Sequence, residues 1–288
     1  MCELAGVSRA SFYRGWEEKE PSEAETALRD AVQTTALAHR SWGYRRVAAL
    51  LQRGDWGVAA EKVRRIMKDD NLLAVRRRKF VATSDPNHRF QVYPNLAERA
   101  ELTHTDQVWV ADITYIRLRT EFVFLAVVLD AYSRKAIGWK LGRSLHTSLT
   151  LAALEMAITD RQPRPGLIHH SDRGTQYASN EYVQRLERCG AHLSMSRPAR
   201  PWENGKCESF MKTLKKEEID ARRYASFAEL EQNVNEFLGE IYNRVRLHSA
   251  LGYLSPVEFE ESQAQQPPWS PAALSFSRHE EIYPDVSS

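Results

Sequence analysis

The strongest constraint on the fold is a change of hydrophobic period near residue 104. Val108 to Ile116, Phe122 to Leu129 and Lys135 to Leu141 are three short apolar or alternating runs separated by turn-sized gaps, the pattern of an antiparallel meander. Helical and strand patterns then alternate. Ser148 to Thr159 carries Leu151, Leu154, Ala157 and Ile158 at helical spacing, and Leu167 to His170, after Pro163 and Pro165, has the composition of a buried strand. A helix at Ser179 to Arg188, a strand at Ala191 to Met195 and helices around Gly205 to Glu218 and Phe227 to Arg244 complete the order β-β-β-α-β-α-β-α-α. That order predicts an α/β body: a mixed five-stranded sheet flanked by helices.

The region before it has a helical period. Leu4 to Arg14, with a Gly6 turn and a Ser8 N-cap, reads as part of a helix-turn-helix whose first helix is nearly absent. Arg45 to Gln52, with Val47, Leu50 and Leu51 on one stripe, and Ala59 to Asp69, with Val63, Ile66 and Met67, form a second helical unit. Thr83 to Arg99 has little periodicity and the residues of a linker. The expected domains are therefore a partial helix-turn-helix at 1–20, a helix-turn-helix-like module at 39–80, a linker at 81–103, an α/β core at 104–260 and an acidic tail at 261–288 that has the composition of a disordered extension.

Charge supports that division. The 288 residues carry a net charge of only +2, but His39 to Val92 holds 13 Lys and Arg against 5 acids, whereas Pro256 to Ser288 holds one Arg against six acids. Arg45, Arg46, Arg64, Arg65 and the run Arg76-Arg77-Arg78-Lys79 lie on or beside short helices, a distribution suited to displacing counterions from a phosphate backbone. With 42% hydrophobic residues the chain can build a core, and its 13 Gly, 12 Pro and 3 Cys are too few for a collagen or a disulfide scaffold. No apolar run approaches the roughly 20 residues of a membrane helix, and Met1-Cys2-Glu3 does not begin a secretory signal. The expectation is a cytoplasmic protein with no membrane partner, nucleoid-associated when acting, whose scattered Cys2, Cys189 and Cys207 suit a reducing compartment.

Three acids stand where structural roles account for them poorly. Asp112 interrupts an otherwise apolar strand, where a buried carboxylate is costly without a cation. Asp172 follows the strand Leu167 to His170, at a strand C-terminus of the kind where α/β proteins place ligands. Glu208 shares a helix face with Lys212 and Lys215 at i, i+4 and i+7, beside an apolar face of Cys207, Phe210, Met211 and Leu214. Together the three carboxylates would make an oxygen-rich site for a hard divalent ion and for two-metal phosphoryl transfer. Plainer roles remain open on spacing alone: Asp172 as a turn cap before Gly174, Glu208 in an ion pair with Lys212. Asp106 and Asp130 lie at strand ends, where a solvated turn role is sufficient.

Five ordered segments resemble one known family. Trp109-Val110-Ala111-Asp112-Ile113-Thr114-Tyr115-Ile116, Leu129-Asp130-Ala131-Tyr132-Ser133-Arg134, His170-Ser171-Asp172-Arg173-Gly174-Thr175-Gln176-Tyr177, Asn204-Gly205-Lys206-Cys207-Glu208-Ser209-Phe210 and Tyr242 to Pro256 are similar to the integrase-type core of bacterial insertion-sequence transposases, the second-frame product of the IS-three group. Asp172 and Glu208 are separated by 35 residues, the spacing of that family's acidic triad. The resemblance implies a ribonuclease H-like fold, Asp112, Asp172 and Glu208 as catalytic and metal-binding residues, and Lys215 as the basic position after the Glu, with Lys212 and Lys206 beside it. It also implies Mg²⁺ or Mn²⁺, two ions with DNA bound, and cleavage of the element's ends followed by strand transfer without a covalent protein intermediate. Implied partners are the terminal inverted repeats, target DNA, further copies of the chain on DNA and an upstream-frame product joined by frameshifting. The segment Arg200-Pro201-Trp202-Glu203-Asn204-Gly205-Lys206 departs from the family's Gly, Asn and Asp-rich loop, and Glu203 competes with Glu208.

Other functions fit less well. A ribonuclease H-like nuclease or a catalytically idle DNA-binding regulator would use the same core. A zinc site from Cys2, Cys189, Cys207 and His169 lacks paired ligand spacing. A hydrolase built on Ser171, His170 and Asp172 fails because adjacent strand residues face opposite ways and no Gly-x-Ser-x-Gly elbow is present.

Overall fold

The computed structural model describes residues 22–72, 92–119, 121–197 and 200–264. The partial helix-turn-helix expected at 1–20, the basic run Arg76 to Lys79 and nearly all of the acidic tail lie outside them. Contacts divide the described chain into two units: residues up to 72 with Met211–Arg223, and residues 92–210 with 224–264.

The first unit is built on three helices, α1 (Glu23–Ala38), α2 (Tyr44–Arg53) and α3 (Ala60–Asp69). The periodicity around Arg45 to Gln52 and Ala59 to Asp69 corresponds to α2 and α3, whereas α1 was assigned no element from sequence. Ser22 caps α1 by accepting from Glu25 N at 3.2 Å, and α1 buries Leu28, Val32 and Ala36 alongside Val47, Leu51, Val63 and Met67. Asp70, just past α3, fixes the pairing of helices by accepting from Arg29 and, at 2.9 Å, from Gln33, both on α1.

The second unit contains the expected mixed sheet. Strands β1 (Val108–Arg117), β2 (Phe122–Asp130), β3 (Ala136–Gly142), β4 (Ile168–Ser171) and β5 (His192–Met195) lie in the order β3-β2-β1-β4-β5. The first three form the antiparallel meander, and β4 and β5 add in parallel. Helices α4 (Thr147–Arg161) and α5 (Asn180–Arg188) connect them, and Leu149, Leu154, Ala157, Tyr182 and Leu186 pack with Trp109, Ala126 and Ile137 into one core. Helix α4 approaches β3 so closely that a Cβ on Gly138 would collide with the Ala153 carbonyl and lie 2.9 Å from Ala157 Cβ.

Helices α6 (Gly205–Leu214), α7 (Phe227–Glu236) and α8 (Pro256–Ala264) follow the sheet. A π-helical stretch, Lys215–Ile219, continues α6, and another, Phe237–Val245, continues α7. Asn243 in the latter acts as a strand mimic on β3, donating to Ala136 O and accepting from Ala136 N, both at 2.9 Å. The segment 92–103, assigned to a linker by composition, is tied to β5: Ser194 Oγ accepts from Leu96 N at 2.8 Å and from Ala97 N at 3.3 Å. Glu260 also differs from a solvated tail residue, since Arg161, Lys135 and Ser133 all bond it at 2.7–3.2 Å.

Candidate active site

Sheet register sets the first two acids side by side. β1 and β4 pair in parallel with Val110 opposite His170, which brings Asp112, two residues further along β1, near Asp172, just past the end of β4. Neighbouring strands are about 4.8 Å apart in this direction. Asp112 is half-buried at mid-strand and accepts from Ile113 N at 2.8 Å; Asp172, just past β4, accepts from Gly174 N at 2.9 Å. A side chain at position 174 would crowd that carboxylate, its Cβ falling 3.0 Å from Asp172 Oδ1.

Two neighbours sense both charges. Burial pushes the Cys207 thiol well up from its ordinary value, and Asp112 and Asp172 push it further. The Tyr177 hydroxyl is raised first by burial, then by Tyr182 and by the same two carboxylates. The helix bearing the third acid is therefore within electrostatic reach of the first two. Asn204, just before α6, pins that helix to the sheet by donating to Ala111 O at 3.1 Å. Cys207 and Phe210 are buried, which leaves Glu208 half-buried on the adjoining face. Among the described residues, no group of three or more His, Cys, Asp or Glu side chains is drawn close enough to enclose an ion.

The competing acids are consumed elsewhere. Glu203 has only 3% of its side chain exposed; Arg197 bonds it through N at 2.7 Å and Nε at 2.6 Å, and Asn95 at 3.0 Å. Burial pushes its carboxyl up, but the bonds from Arg197 outweigh that and hold it below the usual range. Asp130 corrects the expectation of a solvated turn: it is fully buried and accepts from Asp106 N, Tyr132 N, Ser133 N and Ser133 Oγ. Burial raises its pKa. Asp106 accepts from Arg161 and from the Trp109 indole, each at 2.9 Å.

Three family profiles cover this chain: integrase core domain at residues 103–201, a second integrase core domain at 189–256 and an HTH-like domain at 23–80. A 31 kDa protein of insertion element IS600 from Shigella sonnei is 35% identical over 270 residues, spanning 92% of this chain and 99% of that protein. The InsF transposase of insertion sequence IS3A from Escherichia coli K12 is 31% identical, over 90% of this chain and 92% of its own length. The chain belongs to the IS3 family of insertion-sequence transposases. It is a DDE-type polynucleotidyl transferase with a ribonuclease H-like core, as its integrase core domain and relatives indicate. The IS904 transposase of Lactococcus lactis is 37% identical over 64% of this chain and 70% of its own. Among solved structures, a simian T-cell lymphotropic virus intasome chain aligns with 16% identity and a TM-score of 0.48, over 90% of this chain and 80% of that one. No described helix is long and apolar enough to cross a membrane.

The cations expected at this transposase's DNA surface divide into several environments. Arg45, Arg64 and Arg65 are exposed on the first unit, Arg45 and Arg64 lying over the Tyr44 ring at 5.5 and 5.9 Å, with Arg64 also paired to Glu61 at 2.7 Å. Arg46 is different: it lies over Trp42 at 5.5 Å and pairs with the nearly buried Glu217 at 3.6 Å. Lys212 is exposed and Lys215, which opens the π-helical stretch, is half-buried; both group with the first unit. Lys206 is half-buried; burial lowers its pKa and nearby Arg134 lowers it further, while Asp130 opposes.

The rejected sites are occupied by structural bonds. His169 bonds the Tyr182 hydroxyl at 3.0 Å, and Cys189 donates to Leu186 O at 3.1 Å. His170 sits between Ser194 at 2.8 Å and Ser196 at 3.0 Å, and Ser171 donates to Asp172 O, so no nucleophile relay exists. Sequence reasoning assigned no role to Asn204, Tyr177 or Tyr242, although all three lie in the quoted motifs. The Tyr242 ring stands edge-on to Phe210 at 4.9 Å, two residues from Glu208 on α6.

Proposed function

We propose that this transposase cuts DNA at the ends of its insertion element and joins the freed 3′-hydroxyls to target DNA, with Asp112, Asp172 and Glu208 as the catalytic carboxylates. The observation that supports this is the parallel register of β1 and β4, with Val110 opposite His170, which puts Asp112 and the residue just past β4, Asp172, near each other beside the helix that Asn204 ties to Ala111. In the first step a water oxygen forms a bond to phosphorus and the bond to the 3′ oxygen breaks, leaving a 3′-hydroxyl and a 5′-phosphate. In the second, that 3′ oxygen attacks a target phosphodiester and expels the target's 3′ oxygen, so one phosphate ester replaces another with no energy source.

The donor set fits Mg²⁺ or Mn²⁺, since Asp112, Asp172 and Glu208 offer only hard oxygen ligands. Bound there, such ions supply Lewis-acid stabilisation and a lowered pKa for water. Asp112 and Asp172 are held by Ile113 N and Gly174 N, which fixes one oxygen of each carboxylate. Lys206, Lys212 and Lys215 hold the DNA backbone near the reacting phosphate. Arg45, Arg64 and Arg65, with Arg76, Arg77, Arg78 and Lys79, bind the terminal inverted repeats through the helical module. Pairing two element ends calls for more than one copy of the chain on DNA, and fusion to an upstream-frame product supplies a further helix-turn-helix. The work is done in the cytoplasm, at the nucleoid.

Purified protein incubated with Mg²⁺ or Mn²⁺ and DNA carrying the terminal repeats is expected to produce strand-transfer product. Asp112→Asn, Asp172→Asn and Glu208→Gln are each expected to abolish it while leaving DNA binding intact. Wild-type levels of product from any of the three would defeat the assignment.

A further inference from the structure

Among the described residues, two buried side-chain atoms have no hydrogen-bond partner, Tyr177 Oη and Asn204 Oδ1. Both border the acidic site. Tyr177 is 2% exposed, and its backbone N donates to Gly174 O at 3.0 Å, so the ring flanks the turn that holds Asp172. A Cβ on Gly174 would meet both groups, 3.0 Å from Asp172 Oδ1 and 3.5 Å from Tyr177 Cδ2. Asn204 is fixed by donating to the carbonyl of Ala111, the residue before Asp112, and Cys207 lies three residues on in the helix it precedes. The Tyr177 hydroxyl lies within electrostatic reach of Cys207, Asp112 and Asp172.

The chemistry of the two atoms is complementary to water. A phenol hydroxyl lacks an acceptor for its proton, and an amide oxygen lacks a donor. Polar atoms so thoroughly buried are seldom left unpaired in folded proteins, and buried waters characteristically make about three bonds to such groups. We infer that Tyr177 and Asn204 hold a buried water beneath the Asp112–Asp172 pair, accepting from the Tyr177 hydroxyl and donating to Asn204 Oδ1 and to a carboxylate oxygen. Tyr177 is then a positioning residue. It touches neither substrate nor ion, but through the water it fixes which carboxylate oxygens point out of the protein. The inference rests on the reading of Asp112 and Asp172 as the reacting carboxylates.

The test is Mn²⁺ binding to the full chain without DNA, followed by electron paramagnetic resonance, in wild type, Asp112→Asn, Tyr177→Phe and Asn204→Ser. Tyr177→Phe removes only the hydroxyl, and is expected to weaken Mn²⁺ binding about tenfold, the usual effect of losing a bond behind a metal ligand, with the melting temperature unchanged. Asn204→Ser, which withdraws the amide oxygen together with the bond to Ala111 O, is expected to weaken binding at least as much as Tyr177→Phe, which leaves that bond in place. Unchanged Mn²⁺ affinity in both variants, with binding still dependent on Asp112, overturns the water site alone. So does a Tyr177→Phe protein more stable than wild type, because deleting a truly unpaired buried hydroxyl relieves a penalty. Mn²⁺ binding that survives Asp112→Asn instead removes the carboxylate assignment on which the inference rests.

Discussion

Lowering the pH from 7 to 5 is expected to destabilise the integrase core through two histidines on β4, the strand that ends at Asp172. Burial, and secondarily neighbouring His170, pushes His169 down to about 3, while burial pushes His170 down to about 4 against the pull of Glu203. Both are therefore neutral in the folded protein at pH 5, whereas an exposed histidine of pKa 6.5 in the unfolded chain takes up a proton. A depressed histidine pKa favours the folded state fully above the unfolded value, and that advantage is lost as pH falls below it. At pH 5 the gap amounts to roughly 1.5 pH units per histidine, or about 2 kcal/mol each and about 4 kcal/mol together. That is a large share of the roughly 5–15 kcal/mol that holds a typical domain. The bonding explains why His170 resists its proton. Ser194 Oγ accepts from Leu96 N and Ala97 N, so its hydroxyl is left to donate to His170 Nδ1, and a proton on that nitrogen would meet a donor. Urea unfolding at the two pH values, followed by tryptophan fluorescence, measures the loss. His170→Gln stays neutral throughout, and its loss between pH 7 and 5 is expected to be about 2 kcal/mol smaller than that of wild type. Comparing variants matters because raised Asp130 works in the opposite sense, losing stability as pH rises, whereas lowered Glu260 acts only below the ordinary carboxylate range. Equal losses in wild type, His169→Gln and His170→Gln would refute the reasoning.

Three further outcomes follow from the packing and the charges. Arg161, 11% exposed and bonded to Asp106 at 2.9 Å and Glu260 at 2.8 Å, leaves Asp106 without its cation and Glu260 with only Lys135 when replaced by Ala, a loss of about 3 kcal/mol in urea unfolding. The exposed Arg143–Glu121 pair is the control, with less than about 1 kcal/mol for Arg143→Ala. Gly138→Ala, with its Cβ driven into the Ala153 carbonyl, is expected to cost about 1–3 kcal/mol or more by the same measurement, against almost nothing for Gly57→Ala, where the space is open. Arg45→Ala is expected to lower the salt dependence of DNA binding by about one counterion in fluorescence anisotropy titrations. Arg46→Ala, which loses Trp42 and Glu217, is expected to lower the melting temperature and leave that slope unchanged.

The sequence by itself determined the order of elements and singled out three candidate acids. Strand and helix periods are local, so the meander Val108 to Leu141 and helices α4 and α5 could be read from spacing, and Asp112 was conspicuous because its neighbours are apolar. Helix α1 was missed because only Leu28, Val32 and Ala36 of its 16 residues are buried, and the bonds from Asp70 that fix it come from some 40 residues away. Only the tertiary structure showed that Glu203 is held by Arg197 and Asn95 and that Asp130 is buried rather than solvated. What sequence spacing could not supply is the distant donor that converges on each carboxylate beside the local ones, Asn95 for Glu203 and the Asp106 amide for Asp130. The nearness of Asp112 and Asp172 depends likewise on the register of two strands some 60 residues apart. The chemistry of each residue is written in its side chain, but its availability depends on which groups the fold brings to meet it.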